Sequence, residues 1–289
     1  MSGIELYDAE QGELRAPDWL QPDGALSLLV GVEARAHAVG EVLAGFLAPL
    51  GVEVEPVGAG PEVSFLRLEV ADDALTLSGG PVEGEAPEGT DDEVLQLAYL
   101  LVHYRAPLPL AEALEEAEAQ LAYGYETLSV AMHKLDELGW PKAVDGEVRA
   151  PVEEMLASAL EALSQDLDTP AAVGALMEGL KEVNRLVQSG KGVAPKVRAR
   201  TLARAVRDAE ALGAVLGCFQ TPPHEAVEAR RAQLAAARGL EVERVDALVQ
   251  ARVDARAQGD FAKADALRAE IEALGVRIHD GASGSRWSL

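Results

Sequence analysis

One cysteine and five histidines are the residues of this 289-residue chain best suited to nucleophilic or metal chemistry, and their spacing supports neither. Cys218 stands alone, and His37, His103, His133, His224 and His279 are scattered without the close pairing of a zinc site. No Gly-x-Ser-x-Gly elbow occurs, nor a phosphate-cradling glycine loop with Lys and Ser/Thr. Carboxylates are plentiful, but Glu112, Glu115, Glu116 and Glu118 fall where an amphipathic helix needs a charged outer face. The lone thiol excludes an internal disulfide framework and suits a reducing compartment.

A formal charge of −24 argues against nucleic acid, because phosphate binding depends on clustered Lys and Arg. The average hides an asymmetry. Residues 1–189 hold 9 Lys+Arg against 36 Asp+Glu, a balance of −27, whereas residues 190–289 hold 16 against 13, a balance of +3. Such a difference between halves can mark an interaction surface. The N-terminal segment is acidic and lacks the apolar stretch of a signal peptide. No uncharged apolar run approaches the ~20 residues that span a bilayer. The expectation is a soluble, cytoplasmic monomer that does not touch a membrane.

Periodicity sets out the elements that would position any site. Ala25–Val32 reads as a strand, Ala34–Leu50 as a helix and Val52–Val57 as a second strand, which together make one parallel βαβ unit. Val63–Val70 and Ala74–Leu77 read as a hairpin around Asp72-Asp73. Ser78–Gly89 has the Gly/Pro/Glu composition of a linker. Helices follow: one capped by Thr90 or Asp91 and running to Tyr104, then Leu110–Leu138, Val152–Leu163, one opened by Asp168-Thr169-Pro170 and running to Gly190, Val197–Leu212, and an Arg/Ala-rich helix to Arg238. The tail reads as helices Val242–Ala257 and Asp260–Leu274, meeting at Gly259, then two short strands, Val276–Asp280 and Ser285–Leu289. The chain is therefore expected to be mainly α. An antiparallel helical bundle would carry a small N-terminal α/β domain and a C-terminal α+β module of two helices plus a hairpin. The expected divisions are 1–80, a linker at 81–90, the bundle at 91–238 and the module at 239–289.

Three stretches resemble a known family. The tail from Val245 to Leu289 resembles the C-terminal anticodon-binding end of bacterial cysteinyl-tRNA synthetases. HYRAPL (His103–Leu108) and DLDTPAAV (Asp166–Val173) resemble characteristic stretches of their helical domain. The resemblance covers about two thirds of the chain, Asp91–Leu289. In the family the tail reads the anticodon. That implies roles for Arg252 and Arg256, one turn apart on a helix, toward phosphates or a base edge. Phe261, where the family often has Trp, would stack an unstacked base. Asp265 and Asp280 would accept hydrogen bonds from base amino groups, and Trp287 lies in a GSRW ending that the family shares. A packing role stands beside each of these: Phe261 or Trp287 in a core, Arg252 and Arg256 paired with acids such as Asp254.

The front third departs from the family. Ala34–Val57 resembles the helix and strand after its first nucleotide signature, His-Ile-Gly-His followed by Ala-Arg. Ala34-Arg35 are present, but Val30, Gly31, Val32 and Glu33 occupy the four preceding positions, so both histidines are replaced. The second signature, Lys-Met-Ser-Lys-Ser, falls on Ala74–Ser78 without either lysine. The family's zinc needs two Cys, and residues 1–217 contain none. The interval from Val57 to Val63 is too short for the rest of a nucleotide-binding fold. The resemblance thus implies a non-catalytic paralogue, a pseudoenzyme without metal or cofactor, that binds tRNA, specifically tRNA-Cys. The competing reading is a protein-interaction module that works through the acidic front. Ligation of cysteine to a small molecule ranks last, since it too needs the nucleotide and cysteine sites. The protein should show no cysteine-dependent ATP–pyrophosphate exchange above a no-enzyme blank. Metal analysis should find no stoichiometric zinc; exchange or bound zinc would refute this reading.

Overall fold

A computed structural model describes residues 4–16, 25–30, 34–50, 52–58, 65–70, 73–281 and 284–288. It divides into two compact units, Met1–Pro223 and His224–Leu289. In the first, strands β1 (Leu6–Asp8) and β2 (Glu13–Arg15) form an antiparallel pair. Strand β3 (Ala25–Val30), helix α1 (Ala34–Leu47), a 3-10 turn at Ala48–Leu50 and strand β4 (Glu53–Gly58) then make the expected parallel unit, with Ala25 opposite Glu53. β5 (Leu66–Val70) and β6 (Asp73–Leu77) add the expected hairpin, giving the strand order β4-β3-β5-β6. Alternation sets its inner face: Leu66 and Leu68 are buried, as are their cross-strand partners Leu77 and Leu75. α1 buries Val39, Val42, Leu43, Phe46 and Leu47, a helical stripe.

The bundle follows β7 (Val82–Glu83). It comprises α2 (Asp92–Leu100), strand β8 (Leu108–Pro109), α3 (Leu110–Leu138), α4 (Ala150–Ser164), α5 (Thr169–Gln188) and α6 (Pro195–Leu216). Two of its helices, α2 and α5, start where a side chain satisfies their first N–H groups. Asp91 accepts from Glu93 and Val94, and Asp168 accepts from Ala171, with Pro170 pre-set for the first turn. α3 packs against α2, α5 and α6, and α1 packs against α2 and α6, so the α/β sheet's helix is part of the same unit. Among the described residues no helix is long and apolar enough to cross a membrane. The chain is mainly α.

Three expectations need correcting. α2 stops at Leu100, not Tyr104, because the backbone beyond it turns to bury the Tyr104 ring. The stretch expected as a free linker is tied down at its start. Gly80 N–H donates to the Tyr104 carbonyl (2.7 Å), and β7 pairs in parallel with β8. A Cβ at Gly80 would strike the Ala106 carbonyl, so glycine is there for close approach rather than slack. The boundary between units falls before α7 (Pro223–Ala237), not after Arg238, since Ala235 is buried in the C-terminal core.

The turn from α2 into β8 holds the first unit together. Backbone N–H groups reach Tyr104 O (from Gly80, 2.7 Å) and His103 O (from Ala106, 2.8 Å), and a side chain must meet the carbonyls of Val102 and Ala106. Arg35, 1% exposed, donates from Nη2 to Val102 O (3.0 Å) and His103 O (2.9 Å), and from Nη1 to Ala106 O (2.8 Å) and Gly80 O (3.3 Å). On the other side, Asp166 Oδ1 accepts from Tyr104 Oη (2.6 Å) and the Tyr7 amide (2.7 Å), and Arg105 Nη2 lies 2.7 Å from Oδ2. Burial, then the bonded Asp166, pushes the Tyr104 phenol well above its ordinary range, so it stays a donor. Glu5 stitches the N-terminal segment to the same loop, donating to Ser164 O (2.9 Å) and accepting from the Asp166 amide (2.7 Å). Asp166 and Leu167 take φ of 55° and 50°, a strain of about 1–3 kcal/mol each that these bonds must hold. Arg35→Ala would take the side-chain donor from the Val102, Ala106 and Gly80 carbonyls, at about 1–3 kcal/mol apiece, while His103 O keeps the Ala106 amide (2.8 Å). Urea unfolding should show a loss above about 3 kcal/mol; a loss below about 1 kcal/mol would mean the turn is satisfied without Arg35.

Candidate functional site

The C-terminal unit contains α7, α8 (Val242–Ala257), α9 (Phe261–Ala273) and the antiparallel pair β9 (Arg277–Gly281) and β10 (Gly284–Ser288). Its core is small: Ala235, Val245, Val249, Ile271, Val276 and Trp287. The corner between α8 and α9 is tightly specified. Gly259 sits at φ +77°, its N–H bonds Arg256 O (3.1 Å) and the Asp260 N–H bonds Ala255 O (2.9 Å), a Schellman closure that glycine accommodates without strain. Asp260 then caps α9 by accepting from the Lys263 amide (3.1 Å). Gly275 closes α9 the same way, through bonds from Gly275 to Glu272 and from Val276 to Ile271.

This corner presents Arg256, on the last turn of α8, and Phe261, the first residue of α9, on either side of a three-residue turn. Both are exposed; Phe261 is 65% accessible, the largest exposure among the described big apolar side chains of the unit. Asp265 is exposed one turn further along α9, on the same face as Phe261. The structure therefore groups Arg256, Phe261 and Asp265. It does not add the others. Arg252 is only 5% exposed, because Val245, Val249 and Arg252 follow the buried stripe of α8 at i, i+4, i+7. Trp287 is 6% exposed, donates from Nε1 to Asp246 Oδ1 (2.6 Å), and lies 4.7 Å beneath the Arg231 guanidinium. Both face inward and hold the fold. The Asp280 side chain lies outside the described residues.

Among its described residues the first unit presents no comparable arrangement. Gly31, Val32 and Glu33 lie outside the described residues, and the adjoining Arg35 spends its guanidinium on carbonyls. Ala74–Leu77 are in paired strand β6, where Thr76 donates to Glu10 Oε1 (2.9 Å). Between α1 and α2 lies an open depression lined by His37, Glu41, Asp92, Gln96 and Tyr99, and its acids would repel phosphate. Cys218 is fully buried, and burial, aided by Glu93 and Glu41, pushes its thiol well above the usual range. Such a thiol is inert as nucleophile or ligand. Among the described residues no group of three or more His, Cys, Asp or Glu could hold a metal.

Comparison with known proteins bears on both units. Residues 241–287 match the model of the cysteinyl-tRNA ligase anticodon binding domain, and residues 160–220 match that of the DALR domain. Curated relatives are cysteine–tRNA ligases. The chain is similar to that of Anaeromyxobacter sp. (strain Fw109-5), 38% identical over 200 residues, which is 69% of this chain and 40% of the relative. It is likewise similar to that of Nitratidesulfovibrio vulgaris (strain DSM 19637 / Miyazaki F), 35% identical over 68% of this chain and 41% of the relative. The matched region thus spans about two fifths of the length of these relatives.

The differing burial of the two aromatics generates a test. Trp287→Ala should cost the C-terminal unit about 3–5 kcal/mol of stability, whereas Phe261→Ala should stay within about 0.5 kcal/mol of the parent. Thermal or urea unfolding of the two variants checks this. A Phe261→Ala protein as damaged as Trp287→Ala would place Phe261 in a core.

Proposed function

We propose that this chain, a cysteinyl-tRNA ligase-like protein that carries a DALR domain and the anticodon binding domain of those ligases, binds tRNA through its C-terminal unit without charging it. The observation that carries the reading is Phe261, left 65% exposed at a rigid helix start with Arg256 and Asp265 beside it. An aromatic face, a guanidinium and a carboxylate are the three tools for a splayed base: stacking, phosphate or base-edge pairing, and acceptance from an amino group. The name of the matched domain and of the relatives makes tRNA-Cys the RNA of choice. The C-terminal unit balances 10 Lys+Arg against 11 Asp+Glu, while residues 1–223 hold 15 against 38, so RNA meets far less repulsion at the tail than at the front.

The absence of charging activity rests on the first unit's own residues. Activation of an amino acid needs cations on the triphosphate. Residues 1–133 contain no lysine, and the buried Arg35 is committed to the α2–β8 turn. Such a protein would hold, protect or deliver the tRNA, or compete for it.

Arg256→Ala should weaken tRNA binding and reduce the salt slope by about one ion. Phe261→Ala should cost about 1–3 kcal/mol of affinity with little change of slope. Filter binding of tRNA at several salt concentrations reads both. Two variants that bind as the parent does would overturn the reading.

A further inference from the structure

Helices α1 and α2 face each other across a depression of about 420 Å³ whose lining has a regular origin. On α1 the lining residues recur at i, i+3, i+4 and i+7 from Ala34, and on α2 they recur at the same spacing from Asp92, so each helix turns one face to it. A packed helix pair carries apolar side chains at such positions. Here they include His37, Glu41, Asp92, Gln96 and Tyr99, and only Ala34, Ala38 and Leu95 supply apolar surface. Glu41 and Asp92 are exposed, and neither carboxylate forms an ion pair or hydrogen bond with another described residue. Gln96 donates both amide hydrogens, to Ala38 O (3.3 Å) and Leu216 O (3.0 Å), which fixes the amide and leaves Oε1 free to accept. Tyr99 is 9% exposed, yet its hydroxyl has no hydrogen-bond partner among the described residues. Buried hydroxyls are rarely left so, and the depression that Tyr99 lines is the side from which an outside group can reach it. Burial holds that phenol above its ordinary range, against the opposing charge of Arg35, so it stays protonated. No Lys or Arg is among the described residues of the lining.

We infer that this depression binds a short linear aliphatic diamine. One carboxylate on each helix, Glu41 on α1 and Asp92 on α2, suits two ammonium groups at the ends of a short chain. Tyr99 Oη and Gln96 Oε1 accept from the N–H groups that an ammonium directs elsewhere, and the Tyr99 ring attracts a cation to its face. Ala34, Ala38 and Leu95 cover the methylenes. The lining also sets what is refused. With no cationic side chain to pair it, the carboxylate of an amino acid or the phosphate of a nucleotide would stand against Glu41 and Asp92. The described acids and His37 do not form a group that could hold a metal ion. Residues 1–223 hold 15 Lys+Arg against 38 Asp+Glu, so the surrounding field favours a dication. The volume lies within the roughly 300–1,000 Å³ of small-molecule sites.

Equilibrium dialysis of the full-length protein against labelled 1,5-diaminopentane tests this at about 100 mM salt, where the diffuse attraction of the acidic surface is largely screened. The parent should bind saturably, one diamine per chain. E41Q/D92N should bind about tenfold more weakly or worse, and Y99F about threefold more weakly, with unfolding midpoints like the parent's. E115Q/E154Q removes the same charge from exposed positions elsewhere and should bind as the parent does. Lysine, which is the same diamine with a carboxylate added, should compete about tenfold less well or worse. Uptake that does not saturate, or E115Q/E154Q weakened as much as E41Q/D92N, would reveal a counterion atmosphere and overturn the inference. If a blocked lysyl pentapeptide binds about tenfold more tightly than the diamine and loses as much in E41Q/D92N, the depression receives a basic protein segment, and the inference is again overturned. R256A/F261A should take up the diamine like the parent, so failure here leaves the proposed function standing.

Discussion

The first unit depends on the turn from Leu101 to Pro107, whose backbone satisfies only part of itself. Arg35 takes the carbonyls of Val102, His103 and Ala106 from one side, and Asp166 takes the Tyr104 hydroxyl from the other. A buried guanidinium offers five donors in a fixed fork, so it dictates where each carbonyl stands. Thr169 adds a bond to Leu100 O (2.9 Å), and the Phe65 ring stacks on Tyr104 with centroids 5.8 Å apart. The N-terminal strand, α1, the α2–β8 turn and the α4–α5 loop thus share one small polar centre. In a low-dielectric interior such a network is stable only when nearly complete.

Ala34-Arg35, which the family resemblance ties to a nucleotide signature, have here a structural use that does not require a nucleotide. HYRAPL and DLDTPAAV, noticed separately in the sequence, prove to be two halves of the same contact: His103, Tyr104 and Arg105 all meet Asp166. Selection for packing would maintain these residues whether or not a reaction takes place nearby. The residues proposed to meet RNA lie elsewhere, on the α8–α9 corner.

Local chemistry was legible from the sequence and facing was less so. Asp91, Asp168 and Asp260 cap helices as their residue types require, Pro170 opens α5, and Gly259 and Gly275 close α8 and α9. The parallel β3–α1–β4 unit and the β5–β6 hairpin follow from periodicity. The β1–β2 pair, the anchoring of Gly80 and the place of α7 do not, because each depends on a partner distant in the chain. Arg252 and Arg256 look equivalent at one-turn spacing. Only the apolar pair Val245 and Val249 signals that position 252 continues the inward stripe, and α8 is too polar all round for that signal to be strong. Trp287 resembles a recognition residue by type, yet the unit's core is so small that it cannot spare its largest side chain.

The central claim is that a chain of charge −24 still binds RNA, through a confined cationic and aromatic patch. Filter binding of the full-length protein to unfractionated tRNA at about 50 and 200 mM salt tests it most directly. The account predicts clear binding at the lower salt that weakens steeply, by tenfold or more, at the higher. No binding at low salt, or an affinity indifferent to salt, would contradict it.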